Sequence, residues 1–319
     1  MPSPKYSVIV PVYNRPGEVE ELLSSLCKQT YKDFEVVLVE DGSSITSQSV
    51  YEKYASQLTI QYFFKPNSGP GPSRNFGFTK AKGENFVVFD SDCVIPPDYF
   101  LIVDRHLSKG HLDVWGGPDR GHDDFTVLQQ AMAYSMSSVL TTGGIRGNKK
   151  HVSSFQPRSF NMGMSRRAYE KTGGFRFDRY AEDIELSIRA GKLGLKVGLI
   201  AGAFVYHKRR ATLGQFFRQV SNFGRGRIHV GRAHKGAVKV THAFPMMFLL
   251  GLFAVPVVTI FSWQFGVALF SIYIGYLVAV FFDAWRSVKD FRVAVWAVPS
   301  VVVQMTGYGS GFLKALITK

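Results

Sequence analysis

The sequence is poor in cysteine, and one long stretch of it contains no acidic residue. Its 319 residues include two cysteines, Cys27 and Cys93, at no metal-type spacing. That argues against a disulfide framework and suits a reducing compartment. Asp and Glu are absent between Leu186 and Phe282, a stretch that holds twelve Lys or Arg. This lopsided stretch contributes much of the formal net charge of +14. No signal-peptide pattern stands between Met1 and the first apolar run, so the front half is expected in the cytoplasm. Neither the Walker pattern nor the dinucleotide glycine pattern occurs, which disfavours a P-loop kinase or a Rossmann dehydrogenase.

What is present divides into a polar front and an apolar back. The chain is 46% hydrophobic with 27 Phe, and the apolar content concentrates after Phe244. Basic charge just before apolar spans indicates a cytoplasmic membrane-surface segment. Nucleic acid, the competing partner for a basic protein, is set aside because the basic stretch runs straight into apolar segments of hydrocarbon length. Leu213 to His229 carries Leu213, Phe216, Phe217, Val220 and Phe223 on one side and Arg218, Arg225 and Arg227 elsewhere. That pattern fits an interfacial helix, the alternative being a helix packed on the protein's own core. Residues 244–263 and 265–282 are uncharged and about long enough to span a bilayer. Lys235 and Lys239 flank the pair on one end and Arg286, Lys289 and Arg292 on the other, which predicts a hairpin with both ends cytoplasmic. A third candidate, about 293–313 within 293–317, contains Pro299, Gly307, Gly309 and Gly311 as interruptions. It is expected to span, with re-entry as the alternative.

The front half alternates strand and helix signals. Strands are predicted at 7–12, 34–39, 58–64 and 86–89, with helices at 18–28, 46–57 and 72–82 between them. Such alternation predicts an α/β fold with a mainly parallel sheet covered on both faces. Ligands bind beyond the C-terminal ends of such strands. Asp41 and the Asp90-Ser91-Asp92 turn lie at two of those ends. Further on, helices are predicted at 126–140, 166–172 and 184–193, strands at 159–165, 196–200 and 203–206, and a loop from Gly143 to Pro157.

Several residues carry chemistry. Asp90 and Asp92, one residue apart on a turn, can share a hard cation such as Mg2+ or Mn2+ that also bridges phosphates; alone they are a solvated acidic turn. Asp41 can accept hydrogen bonds from a base or a ribose, or serve only its Asp-Gly turn. Gly69 to Asn75 opens a helix whose N-terminus, with Arg74, can attract phosphate. Glu182-Asp183 starts another helix, either as caps or with one of them as a general base. His207 can complete a metal site with Asp92. Lys208 to Arg210 can offset diphosphate charge or face lipid headgroups.

The ordered series Val8-Ile9-Val10-Pro11-Val12-Tyr13-Asn14, Glu40-Asp41-Gly42-Ser43-Ser44, Ser73-Arg74-Asn75-Phe76-Gly77 and Asp90-Ser91-Asp92 resembles glycosyltransferase family 2. Gly173-Gly174-Phe175, Glu182-Asp183-Ile184-Glu185-Leu186 and Val205-Tyr206-His207 extend the likeness over about residues 5 to 210. The resemblance implies a GT-A fold and an inverting transfer from a nucleotide diphospho-sugar, with Mn2+ or Mg2+. It places Pro11, Tyr13 and Asp41 on the nucleoside, and Arg74 and Asp90 near the base, ribose or diphosphate. It makes Asp92 and His207 metal ligands, and Asp183 the base with Glu182 beside it. Glu40 departs from the Asp often found at its position, which questions that nucleotide contact. The Gln-x-x-Arg-Trp motif of processive synthases is absent, with Phe217-Arg218-Gln219 to Arg225 in a similar place, which argues for adding one sugar. The expected organisation is a catalytic domain over 1–210, an interfacial segment over 211–243 and membrane helices over 244–319. The expected acceptor is lipid-linked or a glycan, at a cytoplasmic membrane. A non-catalytic nucleotide-sugar-binding membrane scaffold is the alternative; it need not keep Asp90, Asp92, Asp183 and His207 together.

Overall fold

A computed structural model describes residues 3–120, 125–142, 155–208 and 210–318. Most of the loop expected from Gly143 to Pro157 therefore lies outside the described residues. The chain forms two compact units, one of residues 1–122 and 150–208, the other of 123–149 and 209–319.

The first unit starts with β1 (Tyr6–Val12), α1 (Pro16–Cys27), β2 (Phe34–Asp41), α2 (Gln48–Tyr54), β3 (Ile60–Lys65), α3 (Pro70–Lys80) and β4 (Asn85–Phe89). It continues through β5 (Cys93–Val94), α4 (Tyr99–Lys109), β6 (Val114–Gly116) and β7 (Asp119–Arg120). It closes with β8 (Asn161–Ser165), α7 (Arg166–Thr172), α8 (Glu182–Lys192), β9 (Val197–Leu199) and β10 (Val205–His207). Seven strands form one sheet in the order β3-β2-β1-β4-β8-β6-β9. Its pairings are parallel except where β8 meets β4 and β6. A small second sheet has the order β5-β10-β7.

The near-continuous β-branched runs of β1 and β2 suit strands buried on both faces, and alternate residues supply the two cores. Val8 and Val10 pack with Leu22, Leu23 and Leu26 of α1 and Phe100 of α4. Ile9, between them, packs on the other face with Phe78 of α3 and Leu186 and Ala190 of α8. The mainly parallel α/β fold read from the sequence is therefore present. Its antiparallel β8 is an addition.

The second unit is helical: α5 (Val127–Ser137), α6 (Val139–Thr142), α9 (Leu213–Ala233), α10 (Phe244–Phe261), α11 (Trp263–Val288) and α12 (Phe291–Ile317). Residues 125–142 thus cluster with the C-terminal helices, although they lie among the first 210 in sequence. Tyr134 and Ser138 donate to the Asp283 carboxylate of α11 at 2.5 and 2.9 Å, which fixes this insertion in place. Among the described residues, Val240–Phe261 and Trp263–Val288 are long and apolar enough to cross a membrane, by length and composition.

The apolar side of α9 packs within the protein. Phe216 and Val220 meet Met132 and Met136 of α5, while Phe217 and Phe223 stay exposed. The glycines expected to interrupt the last helix do not break it, and α12 continues through Pro299. They lie where neighbouring backbones come close. A Cβ on Gly309 would sit 2.4 Å from the Pro245 carbonyl oxygen, and one on Gly311 would sit 1.9 Å from that of Ser221. Helices approach this closely only over residues without side chains. Gly311→Ala is therefore expected to push α9 off α12 and lower the melting temperature in detergent, at a cost of about 1–3 kcal/mol. Unchanged melting would contradict this packing.

Candidate active site

Three parallel strands deliver the candidate residues to one edge of the sheet. Tyr13 follows β1, Asp41 ends β2 and Asp90 follows β4. Pro11 lies within β1 opposite Val39, and Tyr13 is exposed.

Asp41 braces the turn into α3. Its carboxylate accepts from the backbone N–H groups of Ser68 and Gly69, both at 2.9 Å, and from the Lys65 ammonium. Burial pushes this carboxyl up, but Lys65 and the two N–H groups outweigh it and hold it below the usual carboxylate range. The neighbouring Glu40 is wholly buried. It accepts from the Ser43 hydroxyl, the Ser47 N–H at 2.8 Å and the Tyr62 hydroxyl at 3.3 Å. The departure at Glu40 thus belongs to the scaffold of the turn after β2. Asn14 adds to that scaffold by accepting from the N–H groups of Ser44 and Ile45 at 2.8 and 3.0 Å.

Arg74 joins two parts of the site. From α3 its guanidinium donates to Asp90 at 2.7 Å and to Glu182 at 2.6 Å. It is 3% exposed and lies over the Phe175 ring. Its helix is held close to the segment before α8. Gly71 donates to the Asp178 carbonyl at 2.9 Å, and a Cβ on Gly71 would stand 2.1 Å from the Phe177 carbonyl oxygen. Ala181, at φ +57°, then turns the chain so that Glu182 and Asp183 open α8. A left-handed alanine costs about 1 kcal/mol or more and persists only where its surroundings impose it.

The two acids of α8 differ in their partners. Burial pushes the Glu182 carboxyl up to about 7; the Asp183 charge adds to this, and Arg74 pulls it back. Asp183 accepts from the N–H of Ser159 at 3.2 Å and that of Ile184 at 2.8 Å, with Arg158 3.8 Å away.

Asp92 and His207 meet through the small sheet. β10 pairs with β5, placing His207 opposite Cys93, and the Lys208 N–H donates to the Asp92 carbonyl. His207 Nε2 lies 3.1 Å from Asp92 Oδ1, and the imidazole stacks on Phe160. The other Asp92 oxygen accepts from Arg15 Nη1 at 2.9 Å. The Cys93 sulfur lies within 4.8 Å of the donor atoms of Asp92 and His207. Burial pushes that thiol well above its ordinary range, so it stays neutral. A carboxylate and an imidazole 3.1 Å apart fit a divalent cation, whose bonds to such donors run about 2.0–2.6 Å. His207 Nδ1 is buried without a hydrogen-bond partner among the described residues.

The expected site residues thus fall into two side-chain clusters, Asp90–Arg74–Glu182 with Asp183, and Asp92–His207, joined by the Asp90-Ser91-Asp92 turn. Asp41, Pro11 and Tyr13 share the sheet edge. Lys208 pairs with Glu21, and Arg209 lies outside the described residues. The sequence reading assigns no role to Arg15, Lys65 or Cys93. Position was the available signal, since Arg15 follows Tyr13-Asn14 and Cys93 follows Asp92.

A family model described as "Glycosyl transferase family 2" matches residues 7–173. An "Uncharacterized glycosyltransferase" of Rickettsia bellii is 39% identical over 88 residues, 28% of this chain and 13% of that protein. The poly(ribitol-phosphate) beta-N-acetylglucosaminyltransferase TarS of Staphylococcus aureus is 38% identical over 114 residues, 34% of this chain and 20% of that protein. The alignments with these relatives span a fifth of their length or less. The mannosyltransferase PcManGT from Pyrobaculum calidifontis, solved with GDP-Man and Mn2+, superposes with a TM-score of 0.68 at 18% identity, over 96% of this chain and 88% of that one. TarS 1–349 of S. aureus superposes with a TM-score of 0.53 at 22% identity, over 77% and 69%. These likenesses show the fold.

The raised Glu182 carboxyl predicts a pH dependence of stability. A carboxyl raised in the folded state gives its full contribution below the unfolded value of 4.5 and loses it as pH rises through about 7. Melting temperatures from pH 4.5 to 8 should fall more steeply in the wild type than in Glu182→Gln. Parallel curves would contradict the burial argument.

Proposed function

The chain belongs to glycosyltransferase family 2, and from that premise we propose that it transfers a sugar, with inversion, from a nucleotide diphospho-sugar to a membrane-associated acceptor. The observation that carries this reading is the union, at one sheet edge, of a cation-binding pair with a buried acidic pair. Asp92 and His207 supply the first, Glu182 and Asp183 the second, and Arg74 ties the Asp90 side to Glu182.

In this reading Pro11, Tyr13 and Asp41 line the nucleoside end of the donor site. Asp90, fixed by Arg74, faces the ribose or diphosphate. Asp92 and His207 would hold Mn2+ or Mg2+, which when bound supplies positive charge against the departing diphosphate. Asp183 is the general base. It takes the proton of the acceptor hydroxyl as that oxygen bonds to the anomeric carbon. The bond from that carbon to the diphosphate oxygen breaks, and the diphosphate leaves with the electron pair. The backbone N–H groups of Ser159 and Ile184 hold the Asp183 carboxylate in place. Glu182, engaged by Arg74, orients the start of α8 beside it.

The two apolar helices, with both flanks basic, support anchoring in a cytoplasmic membrane with the catalytic unit on the cytoplasmic side. They favour an acceptor that is lipid-linked, or a glycan held at that surface. TarS is by name a transferase acting on poly(ribitol-phosphate), which supports a cell-envelope polymer or glycolipid as the product. The missing Gln-x-x-Arg-Trp motif supports one sugar added per encounter.

Asp183→Asn is expected to lower the transfer rate by about 100-fold or more while donor binding persists. Wild-type turnover would remove Asp183 as the base. Asp92→Ala is expected to weaken nucleotide binding only when Mn2+ is present, measured by calorimetry with UDP-, GDP- and dTDP-sugars in turn. An unchanged, metal-independent affinity would refute its role.

A further inference from the structure

Arg15 stands at the start of α1 and reaches the one carboxylate assigned to the cation. Its Nη1 lies 2.9 Å from Asp92 Oδ2, and its neighbour Glu18 is 3.8 Å away. Its side chain is 35% exposed, whereas that of Asp92 is 8% exposed. Each oxygen of this buried carboxylate therefore meets a basic side chain, His207 on one and the more exposed Arg15 on the other. Such a carboxylate is costly to leave uncompensated, and Arg15 meets that demand from within the chain.

We propose that Arg15 is a resident counter-ion of Asp92 and makes cation binding contingent on the donor. This inference rests on the reading of Asp92 as a cation ligand. A divalent cation arriving alone must displace the guanidinium or sit beside it, and like charges at that distance repel strongly in a partly buried site. A cation arriving with a diphosphate meets a different balance, because the anion offers the displaced planar guanidinium two oxygens for a bidentate hydrogen bond. The exchange moves no bond other than ionic ones. Asp92 passes from Arg15 to the cation, and Arg15 passes from Asp92 to the diphosphate. Glu18, on the same turn of α1, gives the guanidinium a resting partner while it swings. The consequence is reciprocal coupling, in which the diphosphate raises cation affinity by the same factor as the cation raises diphosphate affinity. The free protein would then hold little Mn2+, and the donor would bring its own.

The full chain in detergent, titrated with Mn2+ alone and followed by the electron paramagnetic resonance signal of free Mn2+, tests this without reference to activity. Arg15→Gln is expected to bind Mn2+ about tenfold more tightly than the wild type, while Arg15→Lys, which keeps the charge, stays close to it. With UDP, GDP or dTDP present, the gain in Mn2+ affinity should be smaller in Arg15→Gln than in the wild type. Asp92→Ala should weaken Mn2+ binding in both backgrounds. If Asp92→Ala does so but Arg15→Gln binds Mn2+ no better than the wild type, the competition is overturned and the ligand role of Asp92 stands. If Asp92→Ala changes nothing, both are overturned.

Discussion

The arrangement of the site depends on one buried guanidinium. Arg74 sits between Asp90 and Glu182, nearly inaccessible to solvent, with a carboxylate at 2.7 and 2.6 Å on its two terminal nitrogens. A charge in that position needs both side chains as hydrogen-bond acceptors, and removing either one would cost about 3–5 kcal/mol. The bridge therefore fixes three elements at once: the end of β4, the first turns of α3 and the start of α8. Other local contacts reinforce it. The close approach at Gly71 and the left-handed Ala181 both hold the segment before α8 where Glu182 can reach Arg74.

This bridge also divides the labour among the acids. Asp90, bound to Arg74, presents a fixed carboxylate on one side of the turn, and Asp92, one residue on, faces His207 and Arg15. Glu182 is held by Arg74, which leaves Asp183 with backbone donors as its close partners. In the proposed reading, the donor site and the base share this frame, as single displacement requires when the reacting atoms must be aligned.

Much of the front half was legible because its signals are local. The apolar runs at 7–12 and 34–39, the acidic turn after 86–89 and the acidic start of α8 each follow from a few neighbouring residues. Partner choice was not legible. Nothing in Asn161–Ser165 says that it runs antiparallel to β4, since direction is set by the path of the chain. Nothing in Val127–Ser137 says that it joins the C-terminal helices; that depends on Asp283, almost 150 residues away, accepting from Tyr134. The apolar stripe of Leu213–His229 announces a buried face and leaves its partner open. Pro299 and the glycines of α12 are helix breakers by propensity, yet tertiary packing keeps the helix whole. Within the site, the motif residues were legible and the side chains packed around them were not. Arg15, Lys65 and Cys93 belong to the site by distance alone.

Family membership, the sheet edge and the paired acids converge on one chemical claim, that a sugar is moved by single displacement. The anomeric configuration of the product tests it most directly. The purified full chain, supplied with Mn2+, an α-linked nucleotide diphospho-sugar and a membrane lipid extract, should yield a product whose new linkage is β by proton NMR. An α-linked product would contradict the account, because it would require two displacements or none that pass through Asp183 as base.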